Sequence, residues 1–141
     1  MASIIAGLTG GLVATIGMTI VMMTMGDGGP PPTAGLVAKF AGGEPADHAM
    51  PGMVLHFLYG IVAGGVFAVG APLVGLELES VAVAVGVGLV YGIVLMIGGM
   101  AFWMRTVLGM DPDRDTVMMF GTVHVVYGVI LGAFVGAGVL G

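Results

Sequence analysis

Cysteine, asparagine and glutamine are all missing from this 141-residue chain, and only three residues are basic. Without cysteine there is no disulfide framework and no thiolate nucleophile or thiolate metal ligand. Without Asn and Gln, buried polar contacts fall to His, Tyr, Ser, Thr and the backbone. Three Lys and Arg residues cannot neutralise a phosphate track, which excludes nucleic acid as a partner. Charged residues make up 8% of the chain, against roughly 25% in an ordinary soluble domain. A small globule has too much surface to cover with so few charges.

What is present is apolar. Hydrophobic residues form 58% of the chain before its 28 glycines are counted, and the mean hydropathy is +1.16. Four runs reach the roughly 20 residues that a helix needs to cross a bilayer: Ser3–Met25, Pro51–Val74, Ser80–Met104 and Thr116–Leu140. None holds an internal Asp, Glu, Lys or Arg. They are apolar all round for twice the length of a barrel strand, which favours helices over a membrane β-barrel. The expected architecture is therefore all-α: one transmembrane domain, residues 1–141, forming a four-helix bundle. The first run has no basic leader and is too long for a cleavable signal, so it reads as a span.

The connections differ in length. Residues 26–50 form the longest, with Pro30, Pro31 and Pro32 near its start and an expected short interfacial helix over Thr33–Ala41. Lys39, Arg105 and Arg114 all fall on the first and third connections. The positive-inside rule then places those links in the cytoplasm and both termini outside, in a multi-pass plasma-membrane protein.

An internal repeat is visible. His56-Phe57-Leu58-Tyr59-Gly60 aligns with His124-Val125-Val126-Tyr127-Gly128, and Gly64 with Gly132. A weaker echo pairs Gly10 with Gly88, Met18 with Met96 and Met22 with Met100. The chain reads as two tandem hairpins, residues 3–74 and 80–140, in parallel orientation. His, Tyr and Gly at these spacings share one helix side. Glycines four apart form a strip along which helices approach closely. Lipid gives no reason to carry His and Tyr outward, so both motifs are expected to face the bundle interior or a subunit interface.

The run Gly11-Leu12-Val13-Ala14-Thr15, followed by Met18-Thr19 and two later His-x-x-Tyr-Gly helices, resembles the uncharacterised YagU-like family of small four-helix membrane proteins. That resemblance implies membrane location and four helices, and brings no activity or site.

Methionine is the other feature. Apart from Met1 there are twelve, all placed by the expected topology on the same side of the membrane as His48, His56 and His124. The opposite half is Gly, Ala and Val. Packing alone explains this if flexible Met fills space between splayed helices; the chain is then a non-catalytic subunit of a homo-oligomer or larger membrane complex, with the bilayer as its surroundings. A ligand is the alternative. His56 and His124 lie at matched depths and would supply two axial positions to haem b, with Gly60 and Gly128 giving the macrocycle room beside Tyr59 and Tyr127. Cu(I) is the related option, held by His56, His124, Met22 and Met100, since soft donors select that ion. A small oligomeric channel or transporter, with the histidines as its ionisable groups, is the third.

Other motifs fail on context. Gly136-Ala137-Gly138-Val139-Leu140-Gly141 spells a dinucleotide fingerprint without the strand and helix it needs. Asp111-Pro112-Asp113-Arg114-Asp115 opens like a calcium loop but has Thr116 at the glycine position. Asp115 reads as the cap of the fourth span, Phe102 and Trp103 as an interfacial anchor, and His48 as a solvated link residue. No Ser-His-Asp or Cys-His arrangement is available, and no catalytic turnover is expected.

Overall fold

The computed structural model describes residues 2–141. The described residues form five α-helices and no strand. Four of the helical segments are long and apolar enough to cross a membrane.

Helix α1 (Ile4–Met25) starts where the Ser3 hydroxyl accepts the Ala6 amide, 3.0 Å away. It stops at Gly26, ahead of three prolines that cannot continue it. Helix α2 (Pro32–Ala41) has proline at its first position, where the missing N–H costs nothing, and ends at Gly42 with φ +83°. It begins one residue before the expected interfacial helix. A 3₁₀ turn, Pro45–His48, is closed by reciprocal Glu44 and Asp47 contacts and leads into α3 (Ala49–Leu73).

Helix α4 (Val81–Gly98) does not end at Gly98. It continues as π-helix over Gly99–Val107, widening at the Gly98-Gly99 pair. Helix α5 (Arg114–Gly136) is capped by Asp113, whose carboxylate accepts the Thr116 amide at 2.8 Å. This corrects the expectation for Asp115, which instead sits in the first turn. Thr116 holds the Asp113 carboxyl below the usual aspartate range. Beyond Gly136 the chain turns back, and Ser3 bonds the carbonyls of Leu140 and Gly141.

Glycine sets the packing. A Cβ on Gly64 would strike the Gly7 carbonyl, and one on Gly11 the Gly60 carbonyl, so α1 and α3 lie antiparallel with backbones touching. The same device joins α4 to α5, where Gly128 faces the Gly88 carbonyl and Gly132 that of Ala84. Such close approach favours Cα–H···O contacts that larger residues forbid. Aligned on these contacts, Gly11 rather than Gly10 occupies the place of Gly88.

Helix α1 also packs on α5, whereas α3 and α4 barely meet. The reason lies in side-chain size. At the α1–α5 seam, Gly10 and Gly17 admit Leu131, Phe134 and Ile130. The contact alignment puts Val87 and Val94 at those places on α4, and Tyr91 where α1 has Ala14. Tyr91 holds the two helices apart: its ring lies 5.2 Å from that of Phe67, and its hydroxyl donates to the Ala63 carbonyl at 2.7 Å. The half of the bundle near the chain termini is filled by Ala14, Phe67, Ala84, Leu131 and Val135, all buried. The other half is open.

Candidate functional site: a methionine and histidine cavity

The open half holds a cavity of about 940 Å³. Helix α1 lines it with Met18, Met22, Met23 and Met25; α3 adds Met53, His56 and Tyr59. The π-segment contributes Trp103 and Met104, and α5 Met119, Phe120 and His124. The proline-bearing connection and Leu36 of α2 border it, with α2 fastened to α3 where the Thr33 hydroxyl donates to the Gly52 carbonyl. The closed end is Tyr127, whose hydroxyl donates to the Gly60 carbonyl at 2.6 Å and so joins α5 to α3.

The two histidines share this cavity, as their matched depths predict, but they are held differently. Thr19 donates its one hydroxyl proton to the Thr15 carbonyl at 2.6 Å. Its contact with His56 Nε2, at 3.0 Å, therefore needs the proton on the imidazole, which leaves the His56 Nδ1 lone pair free. His124 turns to its own helix. Its Nδ1 lies 2.7 Å from the Phe120 carbonyl, which can only accept, so Nδ1 carries the proton and Nε2 the lone pair. The contact alignment explains the difference: Thr15 and Thr19 of α1 correspond to Gly92 and Met96 of α4, so α4 has no hydroxyl at the place from which Thr19 meets His56.

Of the other residues singled out, Met22 and Tyr59 line the cavity and Tyr127 closes it, 2% exposed. Gly60 touches the cavity, but a Cβ there would strike the Thr15 hydroxyl; its missing side chain makes room for Thr15, not for a macrocycle. Gly128 lies against α4 and does not line the cavity. Met100 is not among the lining residues either. Leu95, Gly99 and Trp103, each four apart, line the cavity from this side, and along the wider π turn Met104 joins them. Trp103 thus faces inward, while Phe102 is exposed and meets its ring edge-on at 4.8 Å. His48 is half-buried rather than fully solvated: it bonds the Gly42 carbonyl and does not line the cavity.

The charge of the lining has one sign. Asp27 and Asp115 border the cavity; no Lys or Arg does. Arg105 pairs in solvent with Asp111 at 3.4 Å. The residues do not fit haem b: the lining offers propionates no cation, only the like charge of Asp27 and Asp115, and His56 Nε2 is engaged by Thr19. Among the described residues no three His, Asp or Glu side chains gather as a metal site. The donors that do gather are imidazole nitrogen and thioether sulfur. Thr15, Thr19 and Tyr91 escaped the sequence reading, although two threonines four apart in an apolar run, level with a histidine, are a usable signal.

Comparisons of this chain with family models, curated proteins and solved structures find no match.

Proposed function

We propose that the chain is an integral membrane protein, made of two tandem hairpins, that binds a ligand in the Met/His half of its bundle without turning it over. The observation that carries this reading is the cavity itself. Methionine that only filled space between splayed helices would leave no volume of about 940 Å³ beside two histidines with free lone pairs.

The outer surface supports the bilayer as its surroundings. The segment Val81–Val107 has the highest mean hydropathy, 2.5, and the least burial, 17%. Val90 is 61% exposed and Leu73 81%, values suited to lipid or to another copy of the chain. Lys39, Arg105 and Arg114 all lie at the cavity end, which by the positive-inside rule opens to the cytoplasm and leaves both termini outside. Kinship with YagU-like proteins belongs to the same proposal and rests on the Gly11–Thr19 run and the two His-x-x-Tyr-Gly helices.

The lack of cysteine makes the test direct. In membrane vesicles, Met53→Cys should react with a water-soluble maleimide from the cytoplasmic face only. Leu131→Cys, wholly buried and away from the cavity, should not. Labelling from the opposite face would reverse the orientation; no labelling of Met53→Cys from either face would remove the open cavity.

A further inference from the structure

We propose that the cavity binds a soft monovalent cation of the Cu(I) class, ligated by His124 Nε2 and by thioethers drawn from Met18, Met22 and Met119; this rests on the cavity reading above. Four observations converge on it.

The first is the state of His124. Its Nδ1–H donates to the Phe120 carbonyl at 2.7 Å, which fixes the tautomer and the ring and turns a bare Nε2 away from the helix backbone. A backbone carbonyl on the far nitrogen is the usual support of a metal-bound imidazole. The second is neighbourhood. Met18 belongs to the same buried cluster as Val123 and Tyr127, which lie either side of His124 on α5, and Met22 and Met119 pack against that cluster. Met18 and Met22 are four apart on α1 and so share a face.

The third is charge. These donors are neutral, and no carboxylate accompanies them at that depth. A divalent ion would bring twice the charge into an apolar site with nothing to compensate it. Thioethers and imidazole instead suit a soft ion of single charge, and methionine's three rotors let the sulfurs adjust to it. The fourth is access. Asp27 and Asp115 border the cavity and no basic residue does, so the field at its edge draws cations and repels anions. An anionic lipid headgroup or a phosphate ester meets the wrong sign.

The ligand set differs from the one the spacing suggests. Met100 lies off the cavity, and Met18 and Met119 take its place. His56 spends Nε2 on Thr19 and offers only Nδ1, the nitrogen nearer its own backbone, whereas His124 offers the outer Nε2 and is the principal nitrogen donor.

The test uses the full chain purified in detergent under anaerobic conditions, with Cu(I) supplied as its coloured bicinchoninate complex and Ag(I) nitrate as a redox-inert second probe. The chain should withdraw one equivalent of Cu(I). His124→Leu should weaken binding by about tenfold or more, and the triple Met18→Leu, Met22→Leu, Met119→Leu variant should abolish competition with the indicator. Met100→Leu should bind as the parent chain does. Helicity by circular dichroism establishes that each variant is folded. No withdrawal of Cu(I) or Ag(I) by the folded parent chain overturns the proposal, as does unchanged affinity in both the His124 and triple variants. Labelling of Met53→Cys without binding of either metal removes the soft cation and leaves the cavity standing, so the two failures are distinguishable.

Discussion

The Tyr127 hydroxyl donates to the Gly60 carbonyl at 2.6 Å, a hydrogen bond between residues 67 apart in sequence that crosses the bundle from α5 to α3. It closes the cavity at the level where glycine packing begins. Tyr127→Phe keeps the ring and removes only this bond. Equilibrium unfolding in detergent should show a loss of about 0.5–1.5 kcal/mol. A loss near zero would mean that the ring alone holds α5 against α3.

Two glycines on exposed and packed faces separate backbone approach from helix propensity. Gly128→Ala places a methyl against the Gly88 carbonyl and should cost about 1–3 kcal/mol, because neither backbone can withdraw. Gly86→Ala meets nothing within 4 Å. It should be neutral or stabilising by up to about 1 kcal/mol. Equal effects at the two sites in thermal unfolding would contradict the packing described for α4 and α5.

Tyr91 holds α3 and α4 apart, so its size governs the seam. Tyr91→Phe should keep the spacing and lose only the bond to Ala63. Tyr91→Ala should let the helices close and slow maleimide labelling of Met53→Cys. Spin labels at the exposed Val62 and Val90 report the same movement as a shorter distance by pulsed electron resonance. An unchanged distance in Tyr91→Ala would assign the spacing to Val87 and Val94 instead.

The cap of α5 carries a pH signature. Asp113 accepts the Thr116 amide, and that bond holds its carboxyl below the ordinary aspartate value. A carboxyl depressed in the folded state stabilises fully above its unfolded value and loses that contribution as pH falls through the folded one. The start of α5 should therefore loosen on the acid side of the ordinary aspartate range, seen as faster amide exchange at Thr116. Asp113→Asn, which caps without a charge, should abolish that dependence. Persistence of the acid effect in Asp113→Asn would place its origin elsewhere.

Much of this arrangement is legible in the amino-acid order. The four apolar runs mark the long helices, because nothing else in the chain is long enough to cross a bilayer. His56 and His124 meet the same cavity because equal depth on parallel helices requires only that the helices be straight there. The π-helix over Gly99–Val107 is not legible: it starts at the Gly98-Gly99 pair, and along it Met104 as well as Trp103 lines the cavity. The seam between α3 and α4 was hidden for a different reason. Tyr91 acts by its bulk against a distant helix, and hydropathy does not distinguish a spacer from a filler. Asp113 and Asp115 are both chemically able to cap α5, and only the extended backbone at Asp113 (φ −74°, ψ 175°) decides between them.

The central claim, that the Met/His cavity presents a bare imidazole nitrogen to a ligand, has its most direct test in long-range ¹H–¹⁵N correlation spectra of the histidine side chains. The predicted spectrum shows His124 as the Nδ1–H tautomer with a non-protonated Nε2, and addition of one equivalent of Ag(I) moves that Nε2 resonance more than any other. His124 found as the Nε2–H tautomer, or an Nε2 resonance that Ag(I) leaves in place, would contradict it.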